Sequence, residues 1–401
     1  MPPPVLRVNT GLLAAFMAQN ARIEQMQYRK FGKTGFATSV LGFGAMRLPM
    51  IDKTTVDRDR AVPLLLHAYE QGVNYFDTGK WYCGGDSERA LGEAIKSMDR
   101  SRICVSTKYA MGKPTASDLR EKFEASLDTM NLDYVDYYHL WGISWKSFET
   151  ELSIPGGPLE EFIKLKDEGL VRHLSFSFHS KPGDIPKLVD TGIFETMLCQ
   201  YNLLDRSNEA GITYAAAKGL GVAIMGPVGG GRLGSPSEVV SQLLEGQLRV
   251  SSPELALRFV LSNPQVSIAL SGMSALEQLE ENLATAERAE PLTDEELDKI
   301  ALSVRENQRM MDLYCTGCKY CEPCPENVNI SEVFRCMNYY QVWDLKAFAK
   351  QQYAQIGTSE WLKGKRADAC IECGTCEDQC PQIIPIMQQL KECQRVLGRD
   401  I

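Results

Sequence analysis

The sequence predicts an α/β protein: a (β/α)8 TIM barrel followed by a small, mainly helical, cysteine-rich domain. Three observations carry this. Between Ser39 and Met273 a short apolar, β-branched or aromatic run is followed, again and again, by a longer stretch of helical spacing. Eight such runs can be counted. Two tight cysteine runs then occupy the C-terminal part of the chain, with helical composition between them.

The expected strands are Ser39–Phe43, Asn74–Asp77, Ile103–Lys108, Tyr134–Leu140, His173–Phe178, Thr196–Tyr201, Val222–Met225 and Val266–Leu270. The expected helices are Asp59–Gln71, Ser87–Ser97, Ser117–Met130, Pro158–Glu168, Asp184–Asp190, Ser207–Lys218, Ser252–Leu261 and Ala275–Ala286. Strand and helix in alternation argue for parallel βαβ units, and eight units argue for a closed barrel over an open doubly wound sheet. Thr293 followed by Glu296 has the spacing of a capping box and opens a helix expected to reach about Tyr314. We therefore expect an N-terminal extension over 1–25, a barrel over 26–290 and a cysteine-rich domain over 291–401.

Composition bounds the function. Hydrophobic residues make up 44% and charged residues 24%, which is ordinary for a globular protein. A net charge of -9 leaves no basic surplus to neutralise phosphates, so nucleic acid is not an expected partner. No apolar run is long enough to span a membrane. The short apolar run Gly11–Ala18 is read as part of the extension rather than as a signal peptide.

The first cysteine run is Cys315-Thr-Gly-Cys318-Lys-Tyr-Cys321-Glu-Pro-Cys324-Pro325, and the second is Cys370-Ile-Glu-Cys373-Gly-Thr-Cys376-Glu-Asp-Gln-Cys380-Pro381. The second has the C-x2-C-x2-C-x3-C-P spacing of bacterial ferredoxins. A zinc site would use two C-x2-C pairs, one per knuckle, and fits two runs of four poorly. Both runs therefore point to iron–sulfur clusters. The first run is one residue shorter before its Cys-Pro. The other five of the 13 cysteines are scattered and odd in number, which does not suit a disulfide framework. Thiolate ligands and free thiols imply a reducing, cytoplasmic compartment.

Chemistry in a barrel sits at the C-terminal ends of its strands. Asp77, Lys108 and His139 fall at the ends of the second, third and fourth expected strands or just before, and Tyr82 lies five residues beyond Asp77. Lys108 beside Tyr82 would lower the phenol's pKa, Asp77 would hold Lys108, and His139 could orient a substrate oxygen. Together they make a proton donor for a carbonyl being reduced. Trp81, Cys83, Trp141 and Trp145 are expected near the mouth and suggest an apolar pocket that tolerates aromatic groups.

Phe76-Asp77-Thr78 with Tyr82, the stretch Ser87-Glu88-Arg89-Ala90-Leu91-Gly92, Ser106-Thr107-Lys108 and Tyr138-His139-Leu140 resemble the signatures of the aldo/keto reductase family over roughly Tyr28 to Arg288. With the tail included, the chain resembles the subfamily with a C-terminal 4Fe–4S ferredoxin-type domain. The resemblance implies an oxidoreductase with Asp77, Tyr82, Lys108 and His139 as catalytic residues. It also implies NADP or NAD bound without a Rossmann fold. Ser177 and Gln200 resemble the residues that meet the carboxamide, with Tyr201 the next candidate there. The loop Gly226-Pro227-Val228-Gly229-Gly230-Gly231-Arg232-Leu233 resembles the pyrophosphate loop. Gly272, Ser274, Gln278, Glu281 and Asn282 resemble the adenosine-binding set. Phe178 stands where many members have Asn, and no basic residue lies between Gly272 and Gln278, which leaves NAD and NADP both open.

By analogy with two-cluster ferredoxins, each Cys-Pro cysteine serves the other cluster. That assigns Cys315, Cys318 and Cys321 with Cys380 to one 4Fe–4S cluster, and Cys370, Cys373 and Cys376 with Cys324 to a second. A nicotinamide gives two electrons as a hydride and a cluster moves one. A flavin commonly bridges the two modes and could occupy the nicotinamide site. Three roles follow: a carbonyl oxidoreductase exchanging electrons with its clusters or with a protein donor or acceptor, a nicotinamide-dependent reductase with structural or redox-sensing clusters, or a non-catalytic electron-transfer subunit.

Overall fold

A computed structural model of the chain describes residues 26–229, 233, 250–288, 290–312, 321–380 and 384–399. It divides into two compact units: one runs to Pro227 and resumes over Ala256–Pro291, and the other takes Val228–Leu255 and Leu292–Ile401.

The first unit is a closed barrel of eight parallel strands. A two-stranded antiparallel hairpin, β1 (Tyr28–Lys30) and β2 (Ala37–Ser39), precedes it. The barrel strands are β3 (Leu41–Gly44), β4 (Tyr75–Asp77), β5 (Cys104–Tyr109), β6 (Val135–Leu140), β7 (Val171–Phe178), β8 (Thr196–Gln200), β9 (Gly221–Met225) and β10 (Ile268–Ser271), with β10 pairing back onto β3. The helices between them are α1 (Arg58–Glu70), α2 (Ser87–Ile95), α3 (Ala116–Met130), α4 (Pro158–Asp167), α5 (Ile185–Asp190), α6 (Glu209–Lys218), α7 (Ser252–Ser262) and α8 (Leu276–Arg288). Seven of the eight expected strands and the eight expected helices of the barrel are present, with ends shifted by a few residues.

The first expected strand needs a correction. Ser39–Phe43 is not one strand: it is shared between β2 and β3, with Val40 between them. The hairpin that β2 completes leads Phe31 into the barrel's N-terminal end. There it is fully buried with Tyr75, Cys104, Tyr137, Leu198 and Ile268. Its ring meets Tyr75 at 5.7 Å and Tyr137 at 5.1 Å, both edge-on. Gly32 makes this possible. Its φ is +58°, and a Cβ there would lie 2.2 Å from the Gly221 backbone nitrogen.

Side-chain alternation along a strand explains the rest of the barrel interior. Tyr75, Cys104 and Tyr137 fill the lower layer. Two residues further along, Asp77, Ser106 and His139 face the same interior, and Lys108 lies one layer above Ser106. The register pairs Asp77 with Ser106 and Lys108 with His139.

The second unit is mainly helical, with α9 (Asp294–Asp312), α10 (Ile330–Gln341), α11 (Lys346–Gln355) and α12 (Ile386–Leu397). The capping box forms as expected. Thr293 N–H donates to Glu296 Oε2 at 2.7 Å, and Glu296 N–H donates to Thr293 Oγ1 at 3.2 Å. Cys336 on α10 and Cys393 on α12 are fully buried, so these two thiols pack as small hydrophobes. Among the described residues, no helix is long and apolar enough to cross a membrane.

Candidate active site and cluster-binding cleft

The four sequence-selected residues of the barrel mouth converge. Lys108 Nζ donates to Asp77 Oδ1 at 2.5 Å and to the Thr78 carbonyl at 2.6 Å. Ser106 Oγ donates to the other carboxylate oxygen at 2.6 Å. Asp77 and Lys108 are both buried, so the ion pair is made where little water competes. Lys108 Nζ also lies 4.7 Å from the centre of the Tyr82 ring.

The electrostatics differ from the sequence expectation in one respect. Burial raises the Tyr82 phenol above its ordinary pKa, and the opposing pull of Lys108 does not cancel it. The phenol is therefore held protonated, which suits an acid. Burial alone would lower Lys108, but the Asp77 carboxylate and the Tyr82 phenol reverse this and hold the ammonium above its usual value. His139 goes the other way: burial, reinforced by the Lys108 charge, holds it well below the histidine range. Its 3.6 Å approach to Asp77 is thus not an ion pair but a neutral imidazole beside a carboxylate. Neither ring nitrogen of His139 has a hydrogen-bond partner among the described residues, although both are buried. An orphaned imidazole at a barrel mouth suits a ligand oxygen or amide that would complete it.

Ser87 and Glu88 explain why this stretch accompanies the site. Ser87 Oγ donates to the Ala45 carbonyl at 2.7 Å and shares a 2.8 Å hydrogen bond with Thr78 Oγ1. Buried Glu88 accepts from Thr107 Oγ1 at 2.7 Å. These bonds tie the start of α2 to the residues flanking Asp77 and Lys108.

The loop between β4 and α2 carries Tyr82 and an aromatic group. Trp81 and Trp141 are 5.1 Å apart, and Trp141 meets Tyr82 edge-on at 5.4 Å. Cys83 turns under this loop, with Sγ 3.5 Å from the Ala45 and Met46 carbonyls. Trp145 stacks on Phe148 at 5.6 Å. Sequence reasoning passed over His179. It follows β7, its pKa is lowered by burial and then by Lys108, and it lies beside Gly142 at the mouth. Its exposed face gave no sequence signal beyond its place after a strand end.

The residues selected for the nucleotide lie at or just after strand ends and on the helix Leu276–Arg288. Ser177 is buried near the end of β7, where Oγ accepts from Gly142 N–H at 2.9 Å. Gln200 ends β8, and its amide donates to Asp205 at 3.0 Å. Tyr201 is turned away from the role considered for it: its ring packs on Phe259 at 5.4 Å and its hydroxyl donates to Glu209 at 2.9 Å. Gly226, Pro227 and Val228 follow β9, with Gly226 at φ +63° and its carbonyl held by Asn202 Nδ2 at 3.0 Å. Gly230, Gly231 and Arg232 lie outside the described residues. Gly272 and Ser274 follow β10. Gln278 Oε1 accepts from Ser274 N–H at 2.9 Å, and buried Asn282 donates to Ser271 Oγ at 3.1 Å. Glu281 lies on α8 between them.

In the second unit, Cys321, Cys324, Cys370, Cys373 and Cys376 line one cleft with Ile371, Met387 and Leu390. Cys373 is the exposed one of these cysteines. Among the described residues no three ligating groups are close enough for a single metal ion. Burial raises the Cys376 thiol to about 11, with Cys370 and Cys324 among the contributing neighbours. Cys380 does not line this cleft, and Cys315 and Cys318 lie outside the described residues.

Comparison with known proteins finds matches for both parts of the chain. The profile of the aldo/keto reductase family matches residues 40–304, and that of a 4Fe-4S dicluster domain matches 314–384. L-galactose dehydrogenase of Arabidopsis thaliana is 30% identical over 67% of this chain and 90% of its own length. The NADH-specific methylglyoxal reductase of Escherichia coli is 25% identical over 63% of this chain and 91% of its own. Among solved structures, the holo form of an aldo-keto reductase from Bacillus halodurans is 28% identical with a TM-score of 0.59, covering 69% of this chain and 96% of its own. The chain is an oxidoreductase enzyme: it belongs to the aldo/keto reductase family and carries a 4Fe-4S dicluster domain at its C-terminal end.

Proposed function

We propose that the barrel, taken as residues 26–290, reduces a small-molecule carbonyl or oxidises the corresponding alcohol, and that electrons are exchanged with clusters held by residues 291–401. The observation that carries the reading is the buried Lys108–Asp77 pair set against a protonated Tyr82, beside an unpartnered neutral His139. When bound, a nicotinamide would supply the hydride for the carbonyl carbon. The chain's own residues do the remainder. Tyr82 donates its phenolic proton to the carbonyl oxygen. Lys108, fixed by Asp77, offsets the charge that develops on the phenol oxygen as the proton leaves. His139 donates a hydrogen bond to the same oxygen and orients it. Thr78 and Ser106 fix the pair, so that little reorganisation accompanies the transfer.

Ser177, Gln200, Gly226, Pro227, Val228, Gly272, Ser274, Gln278, Glu281 and Asn282 would hold NADP or NAD along the strand ends. Cys370, Cys373 and Cys376 with Cys324 would hold one 4Fe–4S cluster, which the shared cleft supports. Cys315, Cys318 and Cys321 with Cys380 would hold the other. A flavin in place of the nicotinamide would ease the passage from hydride to single electrons. The expected setting is the cytoplasm.

The test is carbonyl-dependent oxidation of NADPH or NADH by the reconstituted protein, repeated with Tyr82→Phe. Turnover that Tyr82→Phe reduces by about 10²–10⁴-fold supports the reading. Turnover that Tyr82→Phe leaves intact would contradict it.

A further inference from the structure

We infer that Glu88 is a positioning residue for the reaction: its buried carboxylate, acting through Lys80, holds the loop that carries Tyr82 at its distance from Lys108. The inference rests on the reading of Tyr82 as the proton donor and adds the device that keeps the donor in place. The Glu88 side chain is fully buried, and its two oxygens have different surroundings. Oε1 accepts from Thr107 Oγ1 at 2.7 Å. Oε2 has no hydrogen-bond partner among the described residues. A buried carboxylate oxygen left without a donor is costly, so it pulls strongly on a cation within reach. Among the described residues Lys80 is the one cation in ion-pair range, with Nζ 3.9 Å from Oε2. That separation is longer than a hydrogen bond, so the attraction is one of charge.

The placement of the three residues gives the pair its role. Thr107 precedes Lys108 on β5, Lys80 lies two residues before Tyr82, and Glu88 stands in the first turn of α2. One carboxylate therefore spans the strand that carries the ammonium and the loop that carries the phenol. Between Lys80 and Glu88 the backbone passes through three successive residues of positive φ: Cys83 at +53°, Gly84 at +66° and Gly85 at +95°. Cys83 is not a glycine, so its conformation is disfavoured and persists where surrounding contacts impose it. Weak thiol contacts to the Ala45 and Met46 carbonyls, both at 3.5 Å, help to hold this turn. The Lys80–Glu88 attraction holds the segment before it. The Lys80 side chain is 40% exposed, so a loop displaced outward returns the ammonium to water and leaves Glu88 Oε2 without a counter-charge. The inward position is thereby favoured, and with it the 4.7 Å separation of Lys108 Nζ from the Tyr82 ring.

The test uses the full-length reconstituted protein and two readouts: hydrogen exchange of the amides over 79–86, followed by mass spectrometry, and kcat for 4-nitrobenzaldehyde, an electron-poor aldehyde used as the probe. In Lys80→Met, exchange over the loop should rise about threefold to fivefold, the size of one partly exposed ion pair. kcat should fall by about threefold to tenfold as the donor loses its place, while nicotinamide affinity measured by calorimetry is unchanged. Lys80→Arg should restore both readouts. Glu88→Gln should reproduce the Lys80→Met values, and Lys80→Met added to Glu88→Gln should move neither readout further. Lys80 is partly exposed, so its variants keep the test available even where Glu88→Gln impairs folding. In a protein that turns over the aldehyde, exchange and kcat both unchanged in Lys80→Met, or one changed without the other, would overturn the inference while leaving carbonyl reduction standing. Faster loop exchange in Lys80→Met, reversed by Lys80→Arg, in a protein that turns over no aldehyde would support the hold on the loop and count against carbonyl reduction.

Discussion

Lys108 Nζ stands 2.5 Å from Asp77 Oδ1, and both side chains are buried on the neighbouring strands β5 and β4. The carboxylate does more than anchor. It offsets the burial cost of the ammonium and leaves the positive charge facing Tyr82. Removing Asp77 with Asp77→Asn strands a buried charge, so Lys108 should lose its raised pKa and kcat should fall by about 10-fold or more. Steady-state kinetics with thermal melts will show whether the loss is catalytic or comes with general destabilisation.

The pH profile follows from the direction of the Tyr82 shift. The acid form is required for reduction, and burial holds the phenol above its ordinary value of 10.0 despite Lys108. Carbonyl reduction should therefore persist through alkaline pH and decline only as pH rises beyond the ordinary tyrosine range. Lys108→Met removes the group that pulls the phenol down, so its alkaline limb should lie still higher while kcat falls. A limb near neutral pH would contradict this assignment.

Stability in acid should depend on Glu195. Its carboxyl is held at about 2, against burial that would raise it, by His173 Nδ1 at 2.9 Å, Lys166 Nζ at 2.6 Å and the Leu174 N–H. A depressed carboxyl contributes stability that is present above its unfolded pKa, about 4.3, and is lost as pH falls toward about 2. The group is half-buried, so screening reduces the contribution to about 1–2 kcal/mol. Glu195→Gln should lower the melting temperature at neutral pH and flatten the loss between about pH 4 and 2. Equal acid sensitivity in both proteins would count against it.

Phe31→Ala should cost about 3–5 kcal/mol, because it empties a fully buried position that closes the barrel among Tyr75, Tyr137 and Ile268. Denaturant unfolding followed by barrel tryptophan fluorescence measures this. A cost under about 1 kcal/mol would mean that the hairpin does not plug the barrel.

Iron and acid-labile sulfide should approach eight of each per chain in the anaerobically reconstituted protein, from two 4Fe–4S clusters. Cys373→Ser should remove about half. A value near four in the unmodified protein would contradict the two-cluster assignment.

Much of this architecture was legible in the sequence because period-2 and helical runs alternate cleanly, and because strand ends are where a barrel gathers its chemistry. Asp77, Lys108 and His139 could be found from that rule alone, and Tyr82 from its place just beyond. The hairpin was not legible. Ser39–Phe43 reads as one apolar run, and the break at Val40 appears only once Ala37–Ser39 is seen to pair with Tyr28–Lys30 outside the barrel. The net rise in the Tyr82 pKa was hidden as well, because a sequence shows that a lysine is near but not how much water is excluded. Tyr201 carried a plausible position after Gln200, yet Glu209 and Phe259 claim its side chain, and such a competition is settled by helix packing rather than by spacing. His139 needed three-dimensional information to reveal both ring nitrogens unpartnered.

The central claim, that the barrel site and the clusters share electrons, is tested most directly by anaerobic absorbance titration of the reconstituted protein with NADH and then NADPH. Bleaching of the cluster band on addition of one nucleotide is the predicted result, and it would also identify the preferred nucleotide. A band that neither nucleotide bleaches, in clusters that dithionite still reduces, would contradict the claim.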